Sequence, residues 1–96
     1  MAGADTGAIS AIVSIQNKLG LHIRPSRYLS ALAKSWDAQV TVRNGDREAS
    51  ADSQLDLLML VASEGTELTI SATGPQAKEA VDSIVKMIED KFGEES

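Results

Sequence analysis

"NKLGLHIRPSRYLSALAKSWDAQVTVRNG", residues 17–45, changes hydrophobic rhythm twice, and those changes decide the fold. It is entered from "ISAIVSIQ", residues 9–16, which is β-branched and nearly alternating, the pattern of a half-buried strand ending at the polar turn "NKLG". After Pro25 the apolar residues Leu29, Leu32, Ala33 and Trp36 recur at helical spacing and form one stripe of an amphipathic helix. Pro25 falls in its first turn, where a missing N–H costs nothing. "AQVTVR" then alternates again. Asn44 and Gly45 both tolerate positive φ, so they predict a tight hairpin into a third strand, "REASA".

Downstream, "DSQLDLLMLVAS" predicts a short helix capped at Asp52 or Ser53, with Ser53 and Asp56 resembling a capping box in which aspartate replaces glutamate. "ELTISAT" puts Leu68, Ile70 and Ala72 on one face of a fourth strand, and Gly74-Pro75 marks the next helix start. Ala77, Ala80, Val81, Ile84, Val85, Ile88 and Phe92 keep helical spacing to the end of that helix. The order β-α-β-β-α-β-α reads as an α+β open-faced sandwich: a four-stranded antiparallel sheet covered on one face by three helices. One domain spans residues 8–92, residues 1–7 form a flexible N-terminal tail, and residues 93–96 form a C-terminal tail whose "EES" keeps a solvated face soluble. Trp36 and Tyr28 are read as packing residues.

Composition narrows the function. Ninety-six residues with 43% hydrophobic content support one core. There is no cysteine, hence no disulfide framework or thiolate chemistry, which suits a cytoplasmic protein. The start lacks a charged, apolar leader pattern and no stretch is long enough to cross a bilayer. A net charge of −5 argues against nucleic acid as partner. With one histidine and no cysteine, no metal-ligand cluster is expected.

That histidine, His22, stands two residues before Arg24 and three before Pro25 at the entrance of the first helix. Free N–H groups and the macrodipole at a helix start favour an anion, a neutral imidazole nitrogen is a nucleophile, and a guanidinium clasps phosphate oxygens. Such a constellation suits phosphoryl transfer. On composition alone a histidine beside Arg-Pro is more often a surface or capping residue, and local physics does not settle between the two readings.

"GLHIRPS" together with "ADSQLDLLML", "GTELTISATGP" and the closing amphipathic helix resembles the HPr family, the histidine-containing phosphocarrier proteins of the phosphoenolpyruvate-dependent phosphotransferase system, over nearly the whole chain. "ATGPQAKEAV" and "LLML" are more similar to the nitrogen-branch NPr subtype. The resemblance implies a carrier rather than an enzyme, cytoplasmic and monomeric, without cofactor. Enzyme I would phosphorylate Nδ1 of His22, Arg24 would clamp the phosphate, and an EIIA protein or domain would receive it. Beside the histidine, two positions depart from the family pattern. Ile23 replaces a smaller residue but remains apolar, and Arg27 puts a long cation where alanine is usual and partners dock.

Ser53 matches the serine that an HPr kinase/phosphorylase modifies in many relatives, which implies an alternative: a regulatory interaction protein controlled at Ser53. Asp52 and Asp56 set like charge beside any phosphate there. Leu55, Leu58 and Met59 are expected to share the partner patch with Ile23 and Arg27, although a short helix would claim at least half of its apolar residues as core. A simple anion- or metabolite-binding module is the remaining reading.

Overall fold

A computed structural model describes residues 8–96, so the predicted N-terminal tail, residues 1–7, lies outside the described residues. The elements are β1 (Ile9–Ser14), α1 (Ile23–Lys34), β2 (Gln39–Asn44), β3 (Arg47–Ser50), α2 (Gln54–Leu58), β4 (Glu67–Thr73) and α3 (Ala77–Glu89), closed by a 3₁₀ turn at Lys91–Gly93. The strands form one antiparallel sheet in the order β1-β4-β2-β3, as the α+β open-faced reading requires.

Register explains why one side of the sheet is covered. Val13 pairs with Leu68, Ala11 with Ile70, and Val42 with both Ile70 and Ala49, so the apolar residues of all four strands stand on one face. The opposite face carries Ser71, Thr69 and Arg43 and stays open. α3 lies over the covered face and buries Ala77, Ala80, Val81, Ile84 and Ile88. Full burial of an isoleucine such as Ile84 is worth about 1.5–3 kcal/mol, so this stripe anchors the sheet. α1 adds Leu29 and Ala33, and Trp36, just past its end, donates from Nε1 to Ser83 Oγ of α3 at 2.8 Å.

Several boundaries differ from the sequence reading. β1 stops at Ser14, and Ile15 continues through irregular bonds to Thr66 and Gly65. α1 begins two residues ahead of Pro25, at Ile23, which still leaves Pro25 in its first turn. Pro75 lies in a turn ahead of α3, whose N-cap is Gln76. α3 ends at Glu89 rather than at Phe92. Phe92 is still buried, but Lys91 and Phe92 take positive φ (59° and 55°), which turns the chain back across the domain. Tyr28 is 43% exposed rather than packed, and it is not among the residues that α1 buries, which include Leu29 and Ala33.

Candidate functional site

The "NKLG" turn sets the position of His22. Asn17 is fully buried, its carbonyl accepts from Gly20 N at 3.1 Å, and its side-chain Nδ2 donates to Gly20 O at 2.8 Å. Gly20 has φ +73°, and a Cβ there would stand 2.4 Å from Ala62 O, so only glycine lets this turn press against the loop after α2. Leu21 N then donates to Ala62 O at 2.9 Å, fixing the approach to His22.

His22 is the N-cap of α1. The first intrahelical bond runs from Ser26 N to His22 O at 3.0 Å, and the buried Ser26 hydroxyl donates to the same carbonyl. The amides of Ile23 and Arg24, in the first turn, have no partners inside the helix, at its positive end, and Pro25 has no N–H to leave unpaired. Arg24 is exposed and enters none of the ion pairs among the described residues. Arg27 is exposed one turn further on.

The imidazole is neither entombed nor free. Its side chain is 33% exposed, and Nε2 lies 2.9 Å from Glu94 Oε2. Glu94, only 14% exposed, also accepts from Asn17 Nδ2 through Oε1 at 3.0 Å. Among the described residues Nδ1 has no hydrogen-bond partner, so it is the ring nitrogen left for chemistry. Sequence reasoning missed both Asn17 and Glu94. The asparagine opening the polar turn "NKLG" was a weak signal for the first. Nothing in "EES", read as part of a solvated tail, signalled the second, because the positive-φ reversal at Lys91–Gly93 brings it in.

Around His22 the surface is apolar. An open depression of about 320 Å³ is walled by His22, Leu19, Leu58, Val61 and Ser63. Ile23, Leu55 and Met59 are exposed, and Gln54 Nε2 donates to Ile23 O at 3.1 Å, tying the start of α2 to that of α1, whereas Met59 lines a separate hollow with Arg47 and Glu48 of β3. Of the α2 segment, Leu57 and Leu60 go to the core, Leu55 and Met59 face out, and Leu58 is half-buried. A larger hollow of about 450 Å³, lined by Lys34, Trp36, Thr41 and Asp52 among others, does not include His22.

Ser53 caps α2, its Oγ accepting from Asp56 N at 3.2 Å. The reciprocal half of a capping box is absent, because Ser53 N donates to Ser50 O at 3.1 Å. Ser53 is half-buried and is not part of the His22 cluster.

The model of the family "PTS HPr component phosphorylation site" matches residues 9–90. The chain is 39% identical over 88 residues to the phosphocarrier protein NPr of Escherichia coli K12, covering 91% of this chain and 98% of that one. It is 43% identical over 84 residues to the NPr of Shewanella violacea, covering 88% and 92%. Among solved structures, the crystal structure of HPr-C-His from Thermoanaerobacter tengcongensis superposes with a TM-score of 0.88 at 33% identity, covering 92% of this chain and 99% of that one.

Proposed function

We propose that this chain, which belongs to the HPr family of phosphocarrier proteins and is NPr-like within it, carries a phosphoryl group on Nδ1 of His22 between an Enzyme I donor and an EIIA acceptor. The observation that supports this most is the division of labour on one ring: Nε2 is occupied by Glu94, and Nδ1 is unpartnered on a third-exposed residue at the positive end of α1. The Nδ1 lone pair would attack the phosphorus of phospho-Enzyme I while the bond to the donor's nitrogen breaks and its electrons stay with the donor. The Ile23 and Arg24 amides and the Arg24 guanidinium would then neutralise the phosphoryl oxygens.

The chain has no substrate of its own to turn over and works only between partner enzymes, in the cytoplasm. Ile23, Leu55, Leu58, Met59 and Val61 would supply the apolar contact that excludes water as partners exchange the group, with Arg27 setting a charge at its edge. Ser53 is compatible with a second phosphorylation by a kinase of the HPr kinase/phosphorylase type, although Asp52 and Asp56 oppose it and no observation favours it over the cap.

Incubation with phosphoenolpyruvate and a cognate Enzyme I tests the reading. The expected product is an acid-labile phosphoprotein that is absent in His22→Ala and loses its phosphate to an EIIA acceptor. An acid-stable phosphate, or labelling that survives His22→Ala, would overturn it.

A further inference from the structure

We propose that Glu94, held by Asn17, is a positioning residue for phosphoryl transfer: it fixes the His22 proton on Nε2 and keeps it there while the ring carries phosphate. The inference rests on the reading of His22 as the phosphoryl carrier.

The geometry leaves one consistent arrangement of protons. Glu94 Oε2, a carboxylate oxygen, accepts at 2.9 Å, so Nε2 is the donor, and in the neutral ring Nδ1 then keeps its lone pair. Oε1 is held in turn by Asn17 Nδ2, which also donates to Gly20 O. The Asn17 amide cannot be reversed, since Oδ1 would then face two acceptors. In the orientation present, Oδ1 is buried with no partner, a cost the fold accepts in order to aim Nδ2 at Glu94. Glu94 itself arrives through the reversal at Lys91–Gly93 and is more buried than the ring it touches.

The charge balance gives this contact work to do. A neutral imidazole protonated at Nε2 that forms a bond from Nδ1 to phosphorus becomes a phosphoimidazolium, one unit more positive, with its Nε2 proton unmoved. When the N–P bond breaks toward the acceptor, the electron pair returns to Nδ1 and the same neutral tautomer is restored. No proton has to move in either direction. If the phosphorylated ring loses its Nε2 proton, the leaving group is imidazolate, a far poorer one. A carboxylate on Nε2 opposes that loss because it pairs with the cationic form. By chain position the other charged residues of the neighbouring segments are Arg24 and Arg27 on α1, Lys18 in the β1–α1 turn, Glu64 in the loop after α2, and Lys91 and Glu95 in the C-terminal segment. Among the described residues only Glu94 pairs with His22.

The test compares the full chain with E94Q and E94A by ¹⁵N NMR of the ring and by the pH–rate profile of transfer from the phosphorylated protein to an EIIA acceptor. The full chain is expected to hold the Nε2–H tautomer. E94Q should largely retain it, because the amide oxygen still accepts, and E94A should lose that preference. Both should transfer on the order of five- to tenfold more slowly at the alkaline end, with profiles moved to lower pH, since a charge-assisted bond to a partly exposed ring is lost. N17A should show a weaker form of the same shift. If E94A and E94Q, folded by circular dichroism, leave tautomer and profile where they were, the proposal is overturned, since a purely structural contact would change only stability. A chain that Enzyme I does not phosphorylate at His22 would instead defeat the carrier reading, and the NMR tautomer would still report on Glu94.

Discussion

Gly20→Ala should cost about 3–4 kcal/mol, and the structure apportions that loss. The new Cβ would need the left-handed region at φ +73°, which disfavours an L side chain by about 1–2 kcal/mol. It would also lie 2.4 Å from Ala62 O and 2.9 Å from Ser63 Cα, both backbone atoms that cannot swing aside. Separating the two segments sacrifices the bond from Leu21 N to Ala62 O and strains the one from His22 N to Gly20 O, at about 1 kcal/mol each. Gly45→Ala is the control: its φ is +64° and a Cβ there meets nothing within 4 Å, so only the cost of about 1–2 kcal/mol for the left-handed conformation remains. For a domain of this size the first variant should melt roughly 12–30 °C lower and the second roughly 4–16 °C lower. Urea and thermal unfolding followed by Trp36 fluorescence and circular dichroism separate them. Equal losses in the two variants would refute the close approach of the "NKLG" turn to Ala62, and with it the account of how His22 is placed.

Arg24→Ala should leave the melting temperature nearly unchanged, because the side chain is exposed and unpaired in the described residues, while slowing phosphoryl transfer by roughly ten- to a hundredfold; stopped-flow transfer assays on the folded variant check this. Ser53→Ala should lose about 1 kcal/mol through the missing cap on α2, measured in urea, with transfer at His22 unaffected. Val61→Gly should stabilise the protein by about 0.5–1 kcal/mol, since Val61 holds φ 51° with 72% of its surface exposed; a decrease in the urea midpoint would mean that the side chain packs against something here.

Sheet and helices were legible because their determinants are local and periodic. Val40 and Val42 alternate with polar residues in β2, and Leu29 and Ala33 repeat at helical spacing, so a short window suffices to assign each. The entrance of α1 was legible too, since Gly20, His22, Arg24 and Pro25 each have a local reason to be there. Phe92 shows where this stops. Its spacing from Ile88 fits a continuing helix, yet it reaches the core from a left-handed backbone after α3 has ended. That reversal depends on what the end of α3 meets in space, and no periodicity reports it. Glu94 follows directly from it, which is why a residue 72 positions from His22 along the chain looked like part of a solvated end. The α2 segment falls between these cases. Its apolar run was plain, but which residues face inward depends on where a five-residue helix docks, and this sends Leu57 inward and Leu55 outward.

On the proposed function, the placement of opposite charges around one ring would suit a carrier rather than a trap. A phosphoryl group needs positive partners, and a cationic ring needs a negative one, but an anion beside the phosphate would repel it. At 4 Å two unit charges in a partly solvated setting interact by about 4 kcal/mol, enough to cancel the gain from a clamp. The imidazole resolves the conflict by its own width. Its two nitrogens diverge in the ring plane, so Glu94 engages Nε2 while Nδ1 and the amides of Ile23 and Arg24 remain unpartnered by protein side chains among the described residues. The carboxylate must also be immobile, because a mobile one would sample the positive helix end and compete with phosphate there. Asn17 provides that constraint from the far side of Glu94 at 3.0 Å. Freeing Glu94 by Asn17→Ala should therefore do more than loosen the ring: it should let the carboxylate compete at the helix start and weaken acceptance from the donor as well as delivery to the acceptor, whereas E94A should weaken acceptance only through the lost tautomer preference, with no carboxylate left to compete.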